Sequence, residues 1–206
     1  VSVACEYRLS GEAKWPAQVH DVKAALRWMR ANADSLGLDP ERIAVSGNSA
    51  GGHLSLMVGA TPNLPEFEGE GGNAGVPTDV AAVISFYPPV HIGGPAGEVA
   101  PGSMQHQLVG GAATAEAILR AGPLPHVTAA FPPTMLIHGG EDELVPVSES
   151  LDMYRALVKA GVKAELHVYA GQPHGFDATP ALGRQSAELM ALFMERYVPA
   201  REAAPA

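Results

Sequence analysis

The sequence has a single cysteine, few basic residues and no long apolar run. Because Cys5 has no second cysteine to pair with, an internal disulfide is excluded. Lysine and arginine number 13 against 22 aspartates and glutamates, a net charge of -9. Without a basic run or an aromatic and arginine cluster, we expect no nucleic-acid partner. The longest apolar runs, such as residues 80–87, are too short to cross a bilayer, so we expect no membrane span.

Signatures of cofactor and metal sites are also missing. There is no phosphate-binding P-loop and no dinucleotide fingerprint, and the His, Asp and Glu residues lack metal-ligand spacing. We therefore expect no cofactor and no metal. With 206 residues, 47% of them hydrophobic, the chain is long enough for one core and too short for two ordinary domains. We expect one domain over residues 1–198 and a frayed tail over 199–206.

Short apolar segments alternate with segments of helical periodicity along the chain. Strands are predicted at residues 1–7, 42–46, 80–87, 133–138 and 164–169. Helices are predicted around residues 19–29, from Ser49 onward, around 151–158 and around 189–193, with a weak helix at 113–120. This alternation predicts an α/β fold with a mostly parallel sheet and helices on both faces. In such sheets, functional residues gather at the carboxyl ends of the strands.

One serine stands at a predicted junction between a strand and a helix. Ser49 lies in the Gly-Asn-Ser-Ala-Gly-Gly run of residues 47–52. Flanking glycines allow a sharp turn that exposes the serine oxygen above the sheet edge. The free amide of Ala50, at the start of the next helix, is then the natural donor to a developing oxyanion. A tight turn in which Ser49 only caps the helix is the competing interpretation, but the strand-to-helix context favours a nucleophile.

A serine nucleophile requires a base, and His174 is the histidine placed to supply one. It follows the last predicted strand in a loop, where its side chain can reach back across the sheet edge. Three other histidines are on predicted helices or strands and are interpreted as structural: His20, His53 and His167. Three more lie in the Gly- and Pro-rich excursion over residues 88–125 or next to it, and could contact substrate without any motif to support them: His91, His106 and His126.

The base in turn needs a carboxylate to orient it. Three acidic residues follow the fourth apolar segment, and the shorter side chain of Asp142 suits a fixed hydrogen bond to an imidazole, although the choice of Asp142 rests mainly on the resemblance described below. Its neighbours Glu141 and Glu143 are interpreted as solvated loop charges. Asp177, three residues after His174, is the reserve candidate.

With these motifs in this order, the sequence resembles bacterial carboxylesterases and acetyl-esterase-like members of the α/β-hydrolase superfamily, which are related to the hormone-sensitive-lipase group. The matching residues are 7–10, 15–17, 21–25 with Trp28, 37–43, the Ser49 turn, 132–139 with Asp142, 145–146 and 174–176. The order Ser49, Asp142, His174 is the one in which this superfamily presents its catalytic triad. The resemblance covers nearly the whole chain.

The resemblance implies a serine esterase that cleaves short-acyl carboxylic esters through an acyl-enzyme on Ser49. His174 would act as base and then acid, and Asp142 would hold its tautomer. The expected partner is a small-molecule ester. Substrate contacts are expected from residues beside the triad, namely Tyr87, Pro88, Val145 and Phe176.

The sequence departs from this family at its beginning. Family members carry an H-G-G-G-like oxyanion loop on the strand and turn preceding the segment that resembles residues 1–7, and no such segment occurs here. The run His138-Gly139-Gly140 looks like this motif only superficially, because it follows a later strand and lies in the loop that carries Asp142. We therefore expect an N-terminally truncated member with a gap between the strands at 1–7 and 42–46, unless the first strand has moved into that gap. Such a chain is expected to be weakly active or inactive alone, because one lost oxyanion donor costs roughly 100- to 1,000-fold in rate.

Two alternative functions remain at this point. One is hydrolysis of an amide, as in a formamidase or a prolyl-oligopeptidase-like peptidase, and the other is a non-catalytic ligand-binding member of the fold. The cytoplasm is the favoured compartment, with secretion as the alternative.

Overall fold

The computed structural model describes residues 1–199, so residues 200–206 of the predicted frayed tail lie outside the described residues. Within that range the strands are β1 (Ala44–Asn48), β2 (Ala82–Phe86), β3 (Thr134–Gly139) and β4 (Ala164–Tyr169). The helices are α1 (Ala17–Ala31), α2 (Ala33–Leu36), α3 (Ala50–Ala60), α4 (Pro65–Glu68), α5 (Met104–Val109), α6 (Ala115–Arg120), α7 (Ser148–Lys159) and α8 (Pro180–Tyr197). Short 3-10 helices cover Pro40–Arg42, Leu124–His126 and Phe176–Ala178.

The four strands of the described chain form one parallel sheet in the order β1-β2-β3-β4. Ala44 lies opposite Ala82, Val83 opposite Thr134, and Thr134 opposite Ala164. Each strand is followed by at least one helix before the next strand begins, the connection that parallel pairing requires. The predicted parallel α/β architecture is confirmed, because four of the five predicted strands occur within two residues of their expected bounds.

Side chains alternate between two apolar clusters on opposite faces of the sheet, as the twofold repeat of a strand dictates. Val83 and Leu136 belong to the cluster that contains residues of α1, α3 and α7. Their chain neighbours Ile84 and Met135 belong to the cluster that contains Phe193 of α8. Helices therefore cover both faces, as predicted, and they leave the carboxyl ends of the strands free to carry the site.

The predicted first strand at residues 1–7 is wrong. Residues 1–7 form no strand and pair with none of the four strands of the sheet, and several of them, together with residues 43–47, line a cavity of about 390 Å³. The segment is instead held to α1, where the Arg8 amide and guanidinium both bond the carboxylate of Asp21 at 2.8 to 3.2 Å. The alternative in which the first strand moves beside β1 is therefore also wrong, and the expected gap at this edge of the sheet is present.

In two of the predicted helices, one apolar residue faces solvent. In α7 the buried side chains are Ser150, Met153 and Leu157, whereas Val158 is 50% exposed. In α8 Phe193 is buried, but its neighbour Leu192 is 56% exposed. Adjacent residues differ by about 100° around a helix, so one of each apolar pair must face solvent.

The irregular region contains one helix that was not predicted, α5. The Ser103 hydroxyl caps it by accepting a hydrogen bond from the His106 amide, an arrangement that apolar periodicity does not reveal. Over residues 1–199, no helix combines the length and the hydropathy needed to cross a lipid bilayer.

Candidate active site

Ser49 occupies the turn between β1 and α3, in a backbone conformation rare for a residue with a side chain. Its φ is 54° and its ψ is -116°, outside the regions that L-residues normally occupy. The turn is fixed by the Ser49 amide, which donates to the Phe86 carbonyl oxygen at 2.9 Å, and by the Ser49 carbonyl, which accepts from the His53 amide at 3.0 Å. Strain that neighbouring contacts hold in place is common at functional positions.

The glycines around the turn are not equivalent. A Cβ added at Gly47 would lie 2.4 Å from the backbone carbon and oxygen of Gly51, and one added at Gly52 would lie 2.8 Å from the Phe86 oxygen. A Cβ added at Gly51 would meet nothing within 4 Å. The run thus requires glycine at its first and last positions for space, and not at the position after Ala50.

We therefore expect Gly47→Ala to lower ester turnover by at least roughly 100-fold or to prevent folding, because the turn must open to relieve the clash. Gly51→Ala is the matched control. It lies within α3, where alanine is favoured over glycine by about 1 kcal/mol, so turnover should stay within about twofold of the parent. Turnover and the thermal midpoint of both variants check this. Equal damage from the two substitutions would contradict the geometry.

His174 and Asp142 reach Ser49 from two other strand ends. The Nε2 atom of His174 lies 3.0 Å from the Ser49 hydroxyl oxygen, and its Nδ1 atom lies 2.6 Å from Asp142 Oδ2. An ionised carboxylate can only accept, so Nδ1 carries the proton and Nε2 is free to accept from the serine. The structure thus brings together all three residues proposed as a triad, in the tautomer that proton removal from Ser49 requires.

Asp142 is oriented by its own loop. Its side chain has no exposed surface, and Oδ1 accepts from the backbone amides of Leu144 and Val145 at 3.0 and 2.8 Å. Oδ2 is thereby directed to His174. The flanking Glu141 and Glu143 are exposed, in agreement with their interpretation as solvated charges.

His138 supports this loop from below, a role that the sequence did not indicate. The side chain is fully buried, with Nδ1 2.7 Å from the Ser150 hydroxyl and Nε2 2.8 Å from the Val145 carbonyl oxygen. Burial lowers the pKa of His138. A neutral ring that donates from Nε2 and accepts at Nδ1 satisfies both neighbours, so His138 ties the Asp142 loop to α7.

The reserve candidate Asp177 lies on a different set of partners. Its carboxylate accepts from the Tyr87 hydroxyl at 2.5 Å and from the Asn48 side-chain amide at 2.6 Å. The structure places Asp142, not Asp177, on His174 Nδ1.

A cavity of about 410 Å³ opens beside Ser49 and Ala50. Apolar side chains form much of its wall, among them Trp15, Pro89, Ile92, Leu108, Leu144 and Val145. Of the four predicted substrate contacts, Val145 is on this wall. Tyr87 and Phe176 are buried and pack on each other, with the Tyr87 ring 4.4 Å from the His174 ring. Pro88 is also buried, and its neighbour Pro89 lies on the cavity wall instead. The structure therefore does not place Tyr87, Pro88 or Phe176 where they would contact a substrate in this cavity.

Four of the remaining histidines contact groups outside the triad. His20 lies on the Glu66 carbonyl oxygen, His126 on that of Arg120, and His167 beside Glu165. His91, which lines the cavity, pairs through Nδ1 with Glu149 Oε1 at 3.0 Å. In residues 1–199 no group of three or more His, Cys, Asp or Glu side chains is placed to hold a metal ion.

His53, which lines the cavity beside Ser49, has a strongly lowered pKa. It is buried one turn after Ser49, with Nε2 2.8 Å from the Ala121 carbonyl oxygen. Burial lowers its pKa from 6.5 to about 4. Between these values the unfolded chain binds a proton that the folded chain does not, so stability is complete above pH 6.5 and falls as the pH decreases toward 4.

We expect His53 to remove about 2 kcal/mol from the free energy of unfolding between pH 7.5 and pH 5. His53→Gln can keep the donor to Ala121 without the titrating ring, so urea unfolding of this variant should show a shallower loss over the same range. His20→Gln is the control, since its half-buried ring also lies on a carbonyl oxygen. If the H53Q slope equals that of the parent, His53 is not the group responsible.

Comparison with known proteins agrees with this geometry. A family model described as BD-FAE matches residues 1–157. The chain is 34% identical to the probable carboxylic ester hydrolase LipM of Mycobacterium tuberculosis, over 96% of the chain and 46% of LipM. It superposes with a TM-score of 0.81 and 29% identity on an acetyl ester-xyloside bifunctional hydrolase from Caldicellulosiruptor lactoaceticus, over 95% of the chain and 71% of that structure.

A second solved structure is a thermophilic esterase, Est2, from the Planctomycetes species Thermogutta terrifontis with propionate bound. The TM-score is 0.79 and the identity 27%, over 97% of the chain and 72% of Est2. The α/β-hydrolase fold expected from the sequence is thereby confirmed. The chain spans about half the length of the curated relatives that it matches.

Proposed function

The chain belongs to the BD-FAE family, and from this premise we propose that it hydrolyses short-acyl carboxylic esters through an acyl-enzyme on Ser49. The observation that carries the proposal is the continuous hydrogen-bonded row from Asp142 through His174 to Ser49, with distances of 2.6 and 3.0 Å. Serine is a weak nucleophile at its own pKa, and such a row is what activates it.

In the proposed acylation step, Ser49 Oγ attacks the ester carbonyl carbon while its proton passes to His174 Nε2. The tetrahedral intermediate then collapses, the carbon–oxygen bond to the alcohol breaks, and the Nε2 proton goes to the departing alkoxide. In deacylation, water attacks the acyl-enzyme by the same route and releases the acid. The buried Asp142 stabilises the imidazolium that forms twice in each cycle.

The oxyanion that develops in each step is proposed to accept a hydrogen bond from the Ala50 amide. Ala50 is the first residue of α3, so its amide has no partner within the helix, and the positive end of the helix dipole lies there. Ala50 also lines the cavity beside Ser49. These two facts support its assignment as an oxyanion donor.

The proposed substrate is an ester with a short acyl group. The cavity is partly apolar, with Ile92, Leu108 and Val145 on its wall, and such a wall accommodates a small alkyl chain. The similarity to Est2, whose structure contains propionate, supports the same size class. The similarity to a bifunctional enzyme described as an acetyl ester-xyloside hydrolase supports an acetyl group as the first acyl chain to test.

Steady-state hydrolysis of p-nitrophenyl esters from acetate to octanoate tests the proposal. We expect the highest kcat/KM with acetate, propionate or butyrate, and lower values for longer chains. p-Nitroacetanilide, the matching amide, should be hydrolysed far more slowly. Faster turnover of the anilide would favour the amide-hydrolase alternative. A chain that neither hydrolyses any of these substrates nor forms a fluorophosphonate adduct on Ser49 would favour a ligand-binding protein.

A further inference from the structure

We propose that Asn48, Tyr87 and Asp177 form a positioning network that holds the His174 imidazole against Ser49. The inference rests on the proposed function, because it assigns these residues a role in the reaction of the Ser49 site. None of the three bonds a triad side chain; they act through the placement of His174.

The three side chains are linked by a closed ring of hydrogen bonds. The Asn48 amide nitrogen donates to the Tyr87 hydroxyl oxygen at 2.8 Å and to Asp177 Oδ2 at 2.6 Å, and the Tyr87 hydroxyl donates to Asp177 Oδ1 at 2.5 Å. Each side chain therefore has two partners inside the ring. Bonds to an ionised acceptor are stronger than neutral ones, so the ring is expected to behave as one unit.

The ring joins the segments that carry the reacting side chains. Asn48 is the last residue of β1 and precedes Ser49, Tyr87 directly follows β2, and Asp177 lies in the 3-10 helix three residues after His174. Any displacement of the His174 loop relative to the Ser49 turn must stretch at least one of these bonds.

Tyr87 transmits the constraint to His174 by direct contact. The centroids of the two rings lie 4.4 Å apart with an interplanar angle of 58°, and Tyr87 is only 4% exposed. Its φ is +37°, an outlier for a bulky residue, and such outliers persist only where surrounding contacts enforce them. Burial, and secondarily the Asp177 carboxylate, raise the pKa of the Tyr87 phenol. The hydroxyl therefore stays protonated and can donate its hydrogen bond to Asp177.

The His174 loop needs such support because its own backbone is permissive. Gly171 and Gly175 flank His174 with φ values of 69° and 73°, and glycine adopts such values without restricting the chain. Asp142 fixes one edge of the imidazole through Nδ1, and the Tyr87 ring packs against the same imidazole in a tilted arrangement. Loss of a fraction of an ångström in this geometry is expected to slow proton transfer without removing any reacting group.

The test compares Tyr87→Phe, Asp177→Ala, the double variant and Asp177→Asn with the parent chain. Tyr87→Phe keeps the ring on His174 but breaks two of the three bonds. Tyr169→Phe is the control, because Tyr169 packs on the same aromatic cluster through Phe176 and bonds Ser186 at 3.2 Å outside the network. The readouts are kcat and KM for p-nitrophenyl acetate, the rate of Ser49 labelling by a fluorophosphonate, and the thermal midpoint.

We expect Y87F and D177A each to lower kcat and the labelling rate by about 10-fold, with KM changed by less than about twofold. In the double variant, kcat and the labelling rate should fall no further than in the worse single variant, because both substitutions break the same hydrogen-bond network. Asp177→Asn keeps the shape and one acceptor oxygen, so it should recover part of the loss, and Y169F should match the parent.

Unchanged kcat and labelling in folded Y87F and D177A, with the parent active, would overturn the inference and leave the proposed function intact. So would a fall in thermal midpoint without a fall in kcat, which is the signature of a structural role alone. A parent chain that neither turns over nor labels would overturn the proposed function and this inference together.

Discussion

Alanine at position 49 is expected to lower the turnover of p-nitrophenyl acetate by at least roughly 10⁴-fold, because the acyl-enzyme cannot form without the hydroxyl. Any remaining rate comes from binding and from the Ala50 amide, which do not depend on Ser49. The fold should survive, since the structure records no side-chain hydrogen bond from Ser49 within residues 1–199 other than the one to His174.

Ser46→Ala is the matched control for that experiment. Ser46 lies three residues earlier on β1 and is exposed, so it shares the local sequence without facing His174. Its turnover should stay within about twofold of the parent. A Ser49→Ala protein that keeps more than about a tenth of the parent activity would show that the hydrolysis proceeds without this hydroxyl.

Asp142→Asn is expected to lower turnover by roughly 10³- to 10⁴-fold, with the fold retained. The asparagine oxygen can still accept from the amides of Leu144 and Val145, which bond Oδ1 in the parent chain. The new amide nitrogen would then face His174 Nδ1, where it can only donate. The imidazole would carry its proton on Nε2 and could no longer accept the proton of Ser49.

Glu141→Gln controls for loss of a negative charge in the same loop. Glu141 is exposed, whereas the Asp142 side chain is fully buried, and an exposed loop charge contributes little to a site that it does not face. Turnover of E141Q within about twofold of the parent is the expected outcome. Comparable losses in E141Q and D142N would mean that the loop acts through its overall charge, not through one hydrogen bond to His174.

The architecture could be predicted from the sequence because its determinants are local. Strands β2 and β3 are short, mainly apolar runs, and β4 alternates apolar with polar residues. The residues after the strands include the small residues of the Ser49 turn and the acidic loop of Asp142. Parallel strands place their carboxyl ends at one edge. The convergence of Ser49, Asp142 and His174 follows from that rule, although they are 93 and 32 residues apart along the chain (142 minus 49, and 174 minus 142).

The first strand could not be judged from its own residues. Residues 1–7 are apolar enough for a strand, but pairing is a property of two segments, and these residues pair with none of the four strands. The exposure of Leu192 and Val158 could not be predicted for a related reason, because apolar character alone does not fix which of two adjacent helical residues faces the core.

The side chains behind the triad were the least predictable part of the site. Tyr87 and Phe176 were expected on the substrate, yet Tyr87 packs against His174 and Phe176 packs against Tyr87. His138 was given no role, although it ties the Asp142 loop to α7. Such roles depend on contacts between residues far apart in sequence. The one local hint was that Tyr87 and His138 both stand at a carboxyl end of a strand.

Covalent labelling shows directly whether Ser49 is the nucleophile and whether His174 activates it. The 206-residue chain is treated with a fluorophosphonate, and the adduct is located by peptide mass spectrometry in the parent, in Ser49→Ala and in His174→Ala. We expect one adduct, on the peptide that contains Ser49, absent from S49A and formed far more slowly in H174A. No adduct in the parent chain, or an adduct that persists in S49A, would contradict this assignment of the nucleophile.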